Sequence, residues 1–340
     1  TVINRFKKRG VEATVIGKFT KEKKAIVKFN ETEVLNLDMN FLHEGYPKLH
    51  LKTKKPKYLK IIRKKTKKYS IINNLHKLLS SPNIVSKEFI ANQYDHEVQA
   101  SSIIKPLQGS GKIFGNSTAI KPLFHDNKII SLSQSAFPQY SESDPYKMAA
   151  SSINTAVKNL IVMGANSKKI AILDNFCWCS SEEPERLYEL KEAAKACFDY
   201  AVAYNTPFIS GKDSMYNDFK GFNQKGKATK ISIPPTLLIS SIGIVDSINH
   251  LTKISPEIDD QIYVLGKTSN ELNKSEYDNL FGIKKSNTPS VKADESLDLY
   301  KKFEKANKKK LFSSALGVDL GGIGVTLIKM AVGSNFGLNI

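Results

Sequence analysis

The sequence predicts a mixed α/β protein, and three stretches of its 340 residues carry that prediction. "KKIAILD", ending at Asp174, and "TPFIS", ending just before Gly211, read as buried-type strands. Between them "SSEEPERLYELKEAAKACFDYAVAYN" reads as a helix with Ser180 or Ser181 as cap and Leu187, Leu190, Ala194, Cys197 and Ala201 inward. Strand, helix, strand of this length is a βαβ unit whose crossover makes the two strands parallel. The second stretch is "SESDPYKMAASSINTAVKNLIVMGAN". Asp144 caps it, Pro145 takes the first helical position, Gly164 ends it, and Ile153, Ala156, Val157, Leu160 and Ile161 form one apolar face. The third is the text from Ser101, where "SSIIKPLQG", "NSTAIKPL" and "NKIISLS" are strand-like runs bounded by Gly, Pro, Asn and Ser.

The remaining elements follow in order. "EATVIGKF", "KAIVKF" and "TEVLNL" alternate as short strands, too few to bury a core alone. They predict the tail of a preceding domain over 1–50. A basic linker and helix occupy 51–87, and the α/β domain runs over 88–250 with "PPTLLISSIGIVD" as a further strand. Over 251–340 the reading is "QIYVLG" strand, "DESLDLYKKFEKANKKK" helix, "LFSSALGV" strand, then a glycine turn into the apolar helix of "LGGIGVTLIKMAVGSNFG". That last domain reads as truncated.

Bulk composition narrows the class. Hydrophobic residues make up 41% and charged residues 25%, ordinary for a globular protein. No apolar run approaches the roughly 20 residues a bilayer crossing needs, and the N-terminus has no signal-like core. Three cysteines in 340 residues argue against a disulfide framework and for a reducing, cytoplasmic setting. Cys177 and Cys179 form a C-x-C with no second pair to complete a zinc set. Much of the net charge of +18 lies in "LKTKKPKYLKIIRKKTKKY", 51–69. Lysine is abundant everywhere else too, and this run lacks the interleaved aromatics of a single-strand groove, so it reads as a solvated linker.

The chemistry concentrates after "TPFIS". Parallel strands bring their carboxyl ends to one sheet edge, where α/β proteins bind ligands, so Asp174 and the Gly211-Lys212-Asp213-Ser214 turn should converge. Glycine admits backbone N–H groups close to an anion and Lys212 adds a cation. Asp213 could hold Mg²⁺ against phosphate oxygens, and Ser214 could bond a phosphate. Asn159 is a candidate neutral oxygen ligand. "QGSGKIFG", 108–115, fails as a P-loop because Pro106 sits where the first glycine belongs and Ile113 follows the lysine. None of the six histidines lies in the constellation, His96 in "YDHEVQ" included, and no nucleophile-and-base arrangement is present. The pattern is that of a nucleotide-phosphate site.

"SKEFIANQYDHEVQASSIIKPLQG", "DPYKMAASSINTAVKNLIVMGA", "IAILDNFCWCSSEEPERL", "TPFISGKDSMYND" and "IPPTLLISSIGIVD" come in one order at one spacing. Together they resemble the phosphoribosylformylglycinamidine synthase family, synthetase (large) subunit, within the AIR synthetase-related superfamily. The resemblance implies an AIR-synthetase-like N-terminal domain followed by an incomplete C-terminal α/β domain, the second half of an internally duplicated enzyme. It implies ATP-dependent conversion of formylglycinamide ribonucleotide, with glutamine-derived ammonia, to the amidine in purine biosynthesis. ATP or ADP and Mg would be the cofactors, and the partners a glutaminase subunit, a small accessory subunit and the missing first half, with no membrane.

Carried over by position, Asp174, Gly211 and Lys212 resemble nucleotide-site residues, Ser214 a phosphate- or substrate-contacting residue, and Asn159 and Asp213 metal ligands. No catalytic residue is expected in this half, since Ser133, Gln134 and Ser135 stand where the family's first half keeps histidine. Lys212 occupies a place that is a metal-binding Asn in some members. Thr155 stands where many members carry Glu, and Leu316-Gly317 where a His-Asp pair often precedes the double glycine. The open alternatives are another synthetase or kinase of the same superfamily, such as a selenophosphate or thiamine-phosphate enzyme, and a basic nucleic-acid-binding protein using 51–69.

Overall fold

The computed structural model describes residues 1–58, 70–93, 97–283 and 286–340. Two compact units divide the chain, Thr1–Leu51 and Lys52–Ile340. In the first, helix α1 (Val2–Lys7) precedes the antiparallel pair β1 (Lys24–Phe29) and β2 (Thr32–Asp38), and α2 (Met39–Glu44) follows. The hairpin turns on Asn30 and Glu31, both left-handed at φ 45° and 64°, the conformation that matches strand twist. "EATVIGKF" does not form the expected strand. Val15, Ile16 and Phe19 are exposed, and no residue of this unit is buried, so that run has no partner to complete a ladder.

The second unit opens with α3 (Ile71–Leu79) and the one-turn α4 (Glu88–Ala91). Short strands follow: β3 (Ser102–Ile104), β4 (Leu107–Gln108), β5 (Ile113–Phe114), β6 (Ser117–Ile120) and β7 (Ile129–Ser135). Helix α5 (Pro145–Met163), β8 (Ile170–Cys177), α6 (Pro184–Tyr204) and β9 (Phe208–Ser214) come next, then the ribbon β10 (Asp218–Phe222) and β11 (Ala228–Ser232), and β12 (Thr236–Val245). The central sheet has six strands in the order β3-β6-β7-β12-β8-β9; β8 and β9 pair in parallel and the other neighbours antiparallel.

Helix α5 lies where its sequence punctuation puts it. The Asp144 carboxylate accepts the Lys147 N–H at 3.0 Å, and Gly164 closes the helix at φ 111°. Ile153, Ala156, Val157, Leu160 and Ile161 are all buried against the sheet. On β12 the alternate residues Leu237, Ile239, Ser241 and Val245 turn inward to meet them. Each fully buried Leu or Ile contributes about 1.5–3 kcal/mol relative to exposure.

Helix α6 departs from its reading in two respects. Its cap is Glu183 with Pro184 at the first position, not Ser180 or Ser181. The Ser180 N–H donates to Asp218 at 2.8 Å, and its hydroxyl accepts the Glu182 N–H at 3.3 Å, which holds Ser180 in a turn ahead of the helix. The inward stripe is Glu189, Ala193, Ala196, Cys197, Tyr200 and Tyr204, while Ala194 is exposed. Buried Glu189 pairs with Arg186 at 2.9 Å, and the buried Trp178 indole donates to the Arg186 carbonyl at 3.1 Å. An ion pair and a row of tyrosines therefore occupy a face that a count of apolar letters rotates by about one residue.

Past β12 the chain holds α7 (Glu276–Phe281), α8 (Ala293–Lys308) and α9 (Gly322–Ser334). The expected strands "QIYVLG" and "LFSSALGV" do not form; a single parallel bridge, Lys253 to Ser314, stands in that region. Ile262, Tyr263, Val264 and Leu265 are exposed, strand-type residues without a neighbouring strand among the described residues. The architecture is thus an α/β domain followed by an open α/β region.

"QGSGKIFG" has a structural role. Its β4–β5 hairpin lays its glycine tip on the end of α9, where Ser110 donates through both N–H (2.9 Å) and Oγ (3.2 Å) to the Gly333 carbonyl. Helix-end carbonyls otherwise lack partners. A Cβ on Gly109 would stand 2.1 Å from that carbonyl oxygen, and one on Gly111 2.2 Å from the Val332 oxygen. Among the described residues no helix is long and apolar enough to cross a membrane.

Candidate functional site

Strands β8 and β9 run side by side in the same direction, with Asp174 opposite Gly211, Asn175 opposite Lys212, Phe176 opposite Asp213 and Cys177 opposite Ser214. The convergence expected of a βαβ unit is present. The expected turn is not: Gly211 to Ser214 are the last four residues of β9. Neighbouring backbone supplies the reason. The ladder to β8 continues beyond Asp174, and the Trp178 N–H donates to the Ser214 carbonyl at 2.8 Å.

Strand geometry then divides the constellation. Partners in register share a face and successive residues alternate. Asp174, Gly211 and Asp213 lie on one side of the sheet; Lys212 and Ser214 lie on the other, with Asn175. The Lys212 ammonium bonds the Ser214 hydroxyl on that second face. Gly211 is where contact is closest: a Cβ there would stand 2.6 Å from Asp174 Oδ1 and 3.0 Å from Oδ2. Burial raises the Asp174 pKa, and the negative charge of Asp213 adds to the rise. On the helix side Cys197 of α6 is pushed up to about 12, by burial first and the Asp174 charge second. One face is acidic, with Asp174 half-buried and Asp213 exposed; the other carries the exposed cation Lys212 beside half-buried Ser214.

Asn159 belongs elsewhere. It is buried on α5, and its carbonyl accepts the Ser117 hydroxyl of β6 at 3.5 Å. Strands β7, β12 and β8 separate β6 from β9, so Asn159 and Asp213 do not share a metal site. Among the described residues no three His, Cys, Asp or Glu side chains gather as a metal set. Among the described residues, then, the expected pair of Asn159 and Asp213 does not form a protein-held Mg²⁺ site. His96 and most of the basic run, 59–69, lie outside the described residues. Ahead of them Lys54 is tied to the start of α6, its N–H to the Pro184 carbonyl (2.9 Å) and its ammonium to Glu185 (2.8 Å).

Sequence reasoning missed the partner of Asn159. Its Nδ2 donates to Asp319 Oδ2 at 3.4 Å, from a position 160 residues away. Lys158 bonds the Val318 carbonyl beside it. Burial lowers the pKa of Lys158 and of Lys329, with the Asp319 charge opposing in both. The one textual signal was an acid two residues before the Gly321-Gly322 pair.

Residues 116–245 match the family described as AIR synthase related protein, N-terminal domain. That segment belongs to the AIR synthase-related family. Similarity extends beyond that domain. The chain is 32% identical over 335 residues to phosphoribosylformylglycinamidine synthase subunit PurL of Thermococcus sibiricus, covering 98% of this chain and 44% of the relative. It is 31% identical over 351 residues to the same subunit of Methanocaldococcus jannaschii, covering 100% and 45%. The chain thus spans less than half the length of these relatives. Among solved structures, T. maritima PurL complexed with FGAR is similar in fold, with a TM-score of 0.50 at 16% identity over 85% of this chain and 37% of that one. The matched AIR synthase-related segment, 116–245, runs from β6 to β12, and so contains β8, α6 and β9.

Proposed function

We propose that this chain is the nucleotide-binding second half of an ATP-dependent amidoligase, a phosphoribosylformylglycinamidine synthase working in the cytoplasm. The observation that carries the reading is likeness at 32% identity running through 98% of the chain, not one motif within it. In the proposed reaction the amide oxygen of formylglycinamide ribonucleotide takes the γ-phosphoryl group of ATP, releasing ADP. Ammonia from a glutaminase subunit then adds to the activated carbon, and the C–O bond breaks as phosphate leaves, giving the amidine. Such transfer rests on positioning and charge neutralisation.

Within this chain the parallel β8–β9 edge supports nucleotide binding. On one face Gly211 opens a close approach to Asp174; on the opposite face Lys212 and Ser214, bonded to each other, offer a cation and a hydroxyl to phosphate oxygens. Magnesium enters only as the ion a nucleotide carries. The remaining half of the synthetase and a small accessory subunit are the further partners of this reading.

Calorimetric titration of ADP and of ATP, each with MgCl₂, tests it on the unmodified chain and on Gly211→Val. Saturable binding that the substitution weakens at least tenfold is expected, without phosphate release when formylglycinamide ribonucleotide and ammonium chloride are added. No nucleotide binding, or equal binding by Gly211→Val, overturns the site; turnover by this chain alone overturns its assignment as the non-catalytic half.

A further inference from the structure

A second place in the fold is built to receive something small. A small cavity of about 20 Å³ lies where the β4–β6 segment, α5 and the 252–254 and 315–317 stretches meet, and Gln108, Asn116, Ser117, Asn159, Thr252 and Gly317 line its polar side. Asn159 is 2% exposed, and its Oδ1 is buried without a hydrogen-bond partner among the described residues. Its amide cannot turn over to find one. Nδ2 faces the Asp319 carboxylate, which accepts only, so Oδ1 is held on the far side.

Gly317 keeps that side open. Its φ is unremarkable, yet a Cβ there would stand 2.5 Å from Asn159 Oδ1. The polar groups around the cavity are turned to other acceptors. Asn116 Nδ2 donates to the Gly317 carbonyl at 2.8 Å, Gln108 Nε2 to the Ser117 carbonyl at 3.0 Å, and the Thr252 hydroxyl to the Val162 carbonyl. A buried acceptor needs a donor, and a polar cavity above roughly 10–15 Å³ admits one water with two to four polar partners.

We propose that this cavity is a built site for a single water molecule that donates to Asn159 Oδ1 and joins α5 to the 315–317 segment. An anion is excluded by the acceptor it would face. A divalent cation is excluded by its ligands: one neutral amide oxygen and hydroxyls do not replace the six-oxygen shell that Mg²⁺ demands. The Asp319 carboxylate is turned to the amide nitrogen. Water here performs for Asn159 what no described side chain does, and it does so at a seam already held by Asn116 on Gly317 and by the Ala315 N–H on the Lys253 carbonyl at 3.1 Å.

Crystals of the unmodified chain, grown with and without MnCl₂ and ammonium sulfate and measured beyond about 1.8 Å resolution, test this directly. One spherical peak within hydrogen-bond reach of Asn159 Oδ1, the same in all conditions and without anomalous signal, is the expected result. An anomalous manganese peak there, a peak seen only with ammonium, an empty cavity, or a protein donor on Oδ1 overturns the proposal. In solution Gly317→Ala should lower the melting temperature by several degrees, and MnCl₂ should leave the parent's melting temperature unchanged; a manganese-dependent rise that Asn159→Leu abolishes would also overturn it.

Discussion

Gly211 and Gly317 use one device in two settings. Each leaves out a side chain so that a polar oxygen can approach the backbone, and an added Cβ would sit 2.6 Å from Asp174 Oδ1 in one case and 2.5 Å from Asn159 Oδ1 in the other. The overlaps are nearly equal; their costs should not be. Asp174 is a half-buried side chain on β8, one strand in from the edge strand β9, and keeps a path toward solvent. Asn159 is buried, locked by Asp319, with the Lys158 stem 3.2 Å from the same Cβ. Distance alone does not price a substitution; the freedom of the neighbour does.

The largest expected effect tests the rigid member of the pair. Gly317→Val should destabilise by about 2–3 kcal/mol, as overpacking of a fixed site does, and calorimetric melting would read it as a fall of roughly 4–10 °C. Gly211→Val should cost under about 1 kcal/mol by urea unfolding, because the displaced group is a mobile carboxylate near solvent. Equal losses at the two positions would end the comparison. Next in size, Lys212→Ala should weaken ADP affinity about threefold to tenfold while leaving the urea midpoint in place, since one exposed cation contributes about 1 kcal/mol.

The smallest effect concerns pH. Folding raises the Asp174 pKa, so it disfavours the anion. Stability is therefore lost as pH rises from the ordinary carboxylate value toward the raised one, and the loss persists above it. Asp174→Asn should melt slightly higher than the parent at neutral pH, with the two curves converging below the ordinary carboxylate range. A variant that melts lower at neutral pH would show that Asp174 makes a stabilising contact instead.

Much of this was legible where the signal is local. Asp144, Pro145 and Gly164 mark α5 because caps act within one turn, and the β8–α6–β9 unit is legible because its crossover length permits only parallel strands. Gly-Lys-Asp-Ser looked like a turn because no single-chain propensity contains the β8 ladder that keeps it extended. The stripe of α6 was misplaced because Glu189 is buried by its pairing with Arg186, which hydropathy cannot weigh. Asn159 was legible as a polar residue on a helix. The carboxylate that orients it is 160 positions away, so the cavity it faces was beyond any window of text.

The glycine tip at Ser110 has a consequence for how the molecule is made. Its acceptor, the carbonyl of Gly333, lies 223 positions later. During synthesis at about 5–20 residues per second, that tip must wait roughly 11–45 seconds before its latch is made. The β4–β5 ribbon is therefore among the last pieces to settle, and amide exchange at Ser110 should slow only after the final helix has docked.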